Sequence, residues 1–296
     1  MAQGRDTYAE NMGRNSTEAQ RLDEQFDLIT ENVGYLLHPS VQAKLPPNAH
    51  VADVGTGTAA FLCSLSHYYP NAELHGYDIS TSLFPPTSTL PRNVTLRLLD
   101  ARQPVPSTLW NKYDLVHVRL LSAGLEPAEW SSIIQNLTRM LKPGSAMQWE
   151  ECDFTAVRHL PGSPTATIDT ASCMGQRFLA GMMHHFQNGW NTLAAEMRGA
   201  GLREVHTEVV AADRVYATRA RLTANGIVAI FAWARLASAR GDDDSLSMQQ
   251  LEQLERMAYA DIKSGCYVTF DIHVVWGFRP VFSRNLFFDS LILVVR

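Results

Sequence analysis

The chain has 296 residues, of which 46% are hydrophobic and 19% charged, and carries a net charge of −5. That balance belongs to a globular protein with a substantial core and excludes a disordered or fibrous chain. No Lys/Arg run marks a phosphate-binding face and no apolar stretch reaches the roughly 20 residues that span a bilayer, so neither nucleic acid nor membrane is expected as a partner.

The four cysteines, Cys63, Cys152, Cys173 and Cys266, lie far apart with no Cys-x-x-Cys pair. They read as reduced thiols. The polar start does not read as a signal peptide, and a cytoplasmic protein is expected.

After a polar stretch to residue 16, Leu22, Phe26, Ile29, Val33 and Leu36 recur at helical spacing until Pro39 stops the helix. Strands are predicted over 50–54, 72–78, 94–99, 113–119 and 146–152. Between them lie a helix over 59–69, a turn-rich stretch over 82–91 and an amphipathic helix over 130–141. Such alternation implies a parallel sheet covered on both faces. Further on, Met174, Phe178, Met182, Phe186, Trp190, Leu193 and Met197 mark one helix face. A strand over 204–211, helices over 218–238 and 245–263, and a strand over 266–276 complete the chain. The apolar segment 286–295 calls for burial as a strand, a core segment or a homodimer contact.

The strongest motif is Asp53-Val54-Gly55-Thr56-Gly57 between a strand and a helix. Gly55 permits the tight turn, and Gly57 lets backbone approach a ligand. Alone, the motif also fits a dinucleotide fingerprint. Asp53, two positions before the first glycine, can anchor the loop and a ligand ammonium. Asp78, ending the second strand, can accept both hydroxyls of a ribose, and Asp100-Ala101, after the third, can meet an adenine amine. No phosphate cradle is required. S-adenosylmethionine fits this order of partners best.

The chain resembles the class I methyltransferases: Asp-x-Gly-x-Gly, an acidic end to strand two, Asp-Ala after strand three and Lys142-Pro143-Gly144 before strand five. More closely it is similar to the fungal secondary-metabolism branch that holds the LaeA-type regulators and the gliotoxin-pathway N-methyltransferase. That likeness rests on Arg21-Leu-Asp-Glu-Gln25, Phe84-Pro-Pro86, Asn93-Val94, Tyr113-Asp-Leu-Val-His-Val-Arg119 and Gln148-Trp-Glu-Glu151, over about residues 8–155. Ala59 stands where the family has a third glycine, and its methyl is expected close to the cofactor. The resemblance implies an α/β, Rossmann-like seven-stranded sheet with helices on both faces, ending in an antiparallel hairpin. It also implies an N-terminal helical lid over 1–45 and a methyltransferase domain over 46–296, with a helical insertion at about 214–264.

Cofactor contacts are expected at Asp53, Gly55, Thr56 and Gly57, then at Asp78 and Ile79. Asp100 and Ala101 follow, with Val118 and Arg119 at the end of strand four. S-adenosylhomocysteine would be the product. Methyl transfer asks the protein to align and desolvate the reactants, and a base helps only if the acceptor keeps a proton. His117, His184 and Glu151 are the catalytic candidates; each has a structural alternative as a backbone-bonded, surface or capping group. Tyr8, Trp149, Met182, His185 and Phe186 are the expected walls of the acceptor pocket. No metal site is read. The expected function is O- or N-methylation of a small natural product. A cyclase of the same fold that uses the cofactor without transfer, a regulatory protein and a nicotinamide enzyme are the alternatives.

Overall fold

The computed structural model describes residues 6–242 and 245–281. Three N-terminal helices, α1 (Thr7–Asn11), α2 (Ser16–Val33) and α3 (Pro39–Gln42), precede β1 (His50–Val54), α4 (Ala60–Tyr68), β2 (Glu73–Asp78), β3 (Val94–Leu98) and β4 (Tyr113–Arg119). Then follow α5 (Trp130–Met140), β5 (Leu141–Pro161), α6 (Asp169–Phe186), α7 (Leu193–Gly199), β6 (Arg203–Ala211), α8 (Arg219–Arg240), α9 (Met248–Ser264) and β7 (Cys266–Phe278). The seven strands form one sheet in the order β3-β2-β1-β4-β5-β7-β6. Pairing is parallel from β3 to β5, and antiparallel where β7 joins β5 and β6.

The central strands β1, β2 and β4 are buried almost end to end because both sheet faces are covered, whereas the edge strands β3 and β6 are largely exposed. On one face Leu28, Ile29, Leu62, Leu65, Leu74 and Leu115 pack together; on the other, Ile133, Ile134 and Leu137 of α5 meet Val116, Val118 and Trp149. A third cluster, built on Met174, Ile227, Phe231 and Leu251, joins α6, α8 and α9 into a cap. The Asn15 side chain caps α2 by accepting from Glu18 N at 2.9 Å, and Gly34 ends it at φ +90°.

Four sequence expectations change. The polar start holds a short helix, α1. The long helix face from Met174 to Met197 is two helices, α6 and α7, separated at Gly189, which takes φ +101° and lies under the Trp130 ring. β5 runs nine residues past its expected end at Cys152, with a register shift between Asp153 and Arg158. Tyr216–Arg240 is, by length and composition, long and apolar enough to cross a membrane, contrary to the sequence reading. Half of that apolar window is buried, and Ile227, Ile230 and Phe231 place it in the cap core. The segment 286–295 lies outside the described residues.

Candidate active site

The glycine loop leaves β1 at the carboxyl edge of the sheet, where open α/β sheets take ligands. Gly55 sits at φ +74°, and a β-carbon there would come 2.3 Å from Leu121 Cδ2. Only glycine fits that turn. Gly57, at φ +51°, meets nothing closer than Leu22 Cδ1 at 3.8 Å, so its backbone faces open cavity. Thr56 Oγ1 donates to Asp53 Oδ2 at 2.6 Å. Asp78 Oδ2 accepts from Gly57 N at 3.0 Å, its Oδ1 accepts from Ser80 N at 3.1 Å, and Arg14 Nη1 stands 3.3 Å from Oδ1. Burial pushes the Asp78 carboxyl up, against the pull of Arg14.

These groups line a cavity of about 290 Å³, as do Asp53, Ile79, Asp100, Ala101, His117 and Arg119. Its arginines are already paired: Arg14 with Asp6, Arg21 with Glu18, Arg102 with Asp100 and Arg119 with Glu150. Asp100 takes Arg102 Nε at 2.8 Å and Nη2 at 2.9 Å. A dinucleotide pyrophosphate would find no free cation on the described wall.

Under the loop lies a buried charge chain. His117 Nδ1 donates to Asp53 Oδ1 at 2.7 Å, its Nε2 is 3.7 Å from Glu150 Oε1, and Phe61 stacks on the ring with centroids 3.5 Å apart. Burial alone would lower the His117 pKa, but the bond to Asp53 and the Glu150 carboxylate raise it above its ordinary value. Burial likewise opposes ionisation of Glu150, yet Arg119 and His117 hold it down to about 2. With both ring nitrogens facing carboxylates, His117 is placed to hold Asp53 under the loop.

Several expected site residues stand elsewhere. Strand alternation turns Val118 and Trp149 to the α5 face, where Trp149 packs on Trp130 at 5.5 Å between ring centroids. Glu151 follows them off the cavity. Its Oε1 accepts from Leu121 N at 2.7 Å and Trp149 Nε1 at 3.0 Å, and burial raises its pKa to about 7. His184 is on the surface against Glu126 at 2.8 Å, and His185 bonds the Leu125 carbonyl at 3.0 Å. Met182 is fully buried and off the cavity wall. Tyr8 and Phe186 do line the cavity, and Tyr8 donates its hydroxyl hydrogen to Glu18. Sequence reasoning missed Arg14, Phe154, His159, Phe178, Asn225 and Phe270, which share that wall.

A methyltransferase domain model matches residues 51–144. The N-methyltransferase sirN of Leptosphaeria maculans is 29% identical over 275 residues, covering 89% of this chain and 92% of that protein. Methyltransferase grgD of a Penicillium species is 35% identical over 147 residues, 46% of this chain and 50% of its own length. Residues 51–144 thus carry a methyltransferase domain, and the chain is an S-adenosylmethionine-dependent methyltransferase similar to these two fungal proteins. A methyltransferase solved in complex with the Haloferax volcanii Trm112 activator shares the fold, with a TM-score of 0.51 at 12% identity over 94% of this chain and 99% of that one.

S-adenosylmethionine is the cofactor of this methyltransferase, and the wall fits it. The Gly57 approach leaves room that a β-carbon elsewhere in the loop would close. The carboxylates of Asp53, Asp78 and Asp100 line the cavity in the order expected for its ammonium, ribose and adenine amine, and Ile79, Leu83, Leu99 and Ile133 add apolar wall beside them.

Proposed function

We propose that this methyltransferase transfers the methyl group to the nitrogen of a neutral, apolar small molecule of secondary metabolism. One observation carries the reading: the carboxylates on the cavity wall all belong to the cofactor end. Beyond them the described wall is mainly Phe154, Phe178, Phe186, Leu222, Ile230 and Phe270, its polar members His159, Thr223 and Asn225, with no Asp or Glu. An ammonium acceptor would lose hydration there without a counter-charge. A neutral amine attacks through its lone pair and needs no base during displacement, whereas an alcohol does. His117, fully buried with Nδ1 on Asp53 and Nε2 toward Glu150, is held by those carboxylates and is poorly placed for that task. The likeness to sirN, an N-methyltransferase, supports nitrogen as well.

Bound S-adenosylmethionine supplies a methyl group activated by the sulfonium charge. The chain's own part is to hold the acceptor in line and keep water out. Tyr8 and Arg21 from the N-terminal helices and Asn225 from α8 close the cavity from above. The free thiols of Cys63, Cys152, Cys173 and Cys266 suit a cytoplasmic setting.

The test is incubation with methyl-deuterated cofactor and a panel of secondary amines and phenols, read by mass spectrometry. N-methyl product matched by S-adenosylhomocysteine is expected. Methylation confined to phenols overturns the nitrogen reading, and product formed without S-adenosylhomocysteine overturns transfer itself. Asp78→Ala should weaken cofactor binding about a hundredfold, since two hydrogen bonds to a charged group are lost.

A further inference from the structure

The cavity extends well above the strand ends. Glu150, level with the end of β4, pairs with Val274 of β7, whereas His159 pairs with Val268. Those six positions of β7 span roughly 20 Å at ~3.3 Å per residue. At that far end a second depression of about 250 Å³ opens between β5 and α6. Val157, His159, Gly175 and Leu179 belong to both walls. Gly175 makes the junction, because a β-carbon there would come 2.6 Å from His159 Cε1.

The polar side chains of the second depression are Arg158, His159, Ser172 and Gln176, and its wall contains no Asp or Glu among the described residues. Each can donate an N–H or O–H. Burial lowers the His159 pKa and so favours the neutral ring, which offers one N–H. The aromatic chamber below is mainly apolar and has no carboxylate beyond the strand ends.

We propose that this depression is a distal subsite that receives an oxygen acceptor, a carbonyl or a carboxylate, at the far end of an elongated apolar methyl acceptor. The inference deepens the transferase reading and rests on it for the near end only. His159 stands between the chambers and binds that oxygen; Arg158 and Gln176 complete the donor set at the mouth.

Three probes test it: biphenyl-4-carboxylate, biphenyl-4-carboxamide and 4-methylbiphenyl, titrated by calorimetry into the full chain saturated with S-adenosylhomocysteine. At least one oxygen-bearing probe should bind about tenfold more tightly than the hydrocarbon, a readily resolved difference. Gly175→Leu, whose side chain would push into His159, and His159→Phe should each reduce that preference below about twofold while S-adenosylhomocysteine affinity stays unchanged. Loss of preference for the carboxylate alone in Arg158→Gln identifies a carboxylate, and retention identifies a carbonyl. Equal binding of all three probes, or a preference that survives in His159→Phe, overturns the subsite. Failure of the unmodified protein to bind S-adenosylhomocysteine would instead strike the transferase reading, and the same probes in cofactor-free protein would still decide the subsite.

Discussion

Ala59 sits at φ +65° with no exposed surface, and its neighbours Thr58 and Ala60 line the cavity while it does not. The family pattern suggested a methyl crowding the cofactor. The structure makes it a backbone cost instead, since a side chain in the left-handed region costs about 1–2 kcal/mol. Ala59→Gly is therefore expected to stabilise the protein by about 1 kcal/mol in denaturant unfolding and to leave cofactor affinity unchanged. Tighter cofactor binding without added stability would contradict this. Leu120 is a second such residue, at φ +55°. Leu120 N donates to Glu150 O at 2.9 Å, and Leu121 N bonds Glu151 at 2.7 Å. Glu151 thus shapes the loop after β4 without touching the cavity.

Among the elements, the gathering of the loop and the strand-end acids on one wall was legible because its signals are local: glycines in one turn, an acid at each strand end, and strands written as short apolar runs. The acceptor half was not. The residues between Asp153 and Arg158 break the alternation that would have shown β5 continuing, so Phe154 and His159 looked like loop. The helix pattern also carried across Gly189, hiding the turn between α6 and α7. Nor does sequence show that distant helices are fastened together. Arg21 Nη1 donates to Asn225 Oδ1 at 3.2 Å, and Asn225 Nδ2 returns a bond to Arg21 O at 2.8 Å. Asn32, fully buried, donates to Thr218 Oγ1 at 2.8 Å and accepts from Val215 N at 2.9 Å. Asn32→Ala leaves those partners unmatched and should cost about 2 kcal/mol. Amide exchange should quicken in α2 and α8 and hold steady in α5; uniform quickening would mean the helices are not fastened at this point.

For the molecule as a whole, buried ionisation ties stability to pH. His117 and Glu151 both have folded pKa values raised above the unfolded ones, so each binds its proton more tightly when folded. Stability from both is present at low pH and declines as pH rises, for Glu151 from its ordinary carboxyl range up to about 7. Glu150, held down at about 2, acts oppositely and loses its contribution as pH falls below the ordinary carboxyl range. The melting temperature should therefore peak on the acid side of neutrality. Glu151→Gln should flatten the decline between pH 5 and pH 8, as checked by calorimetric scans across that range. A decline of unchanged slope in the variant would remove Glu151 from the account.

The two fastenings between α2 and α8 also bear on how such a protein can diversify. The cavity wall at the strand ends comes from the sheet up to β5, whereas the proposed acceptor chamber is walled mainly by β5 beyond the bulge, α6, α8 and β7. Those walls are free to drift toward new acceptors without disturbing the cofactor. Recombination between relatives is more restricted, because a cap inherited without its matching N-terminal helices would arrive with Asn225 and Thr218 facing strangers. The unit of exchange is therefore discontinuous in sequence, the two ends of the chain moving together around an inherited middle.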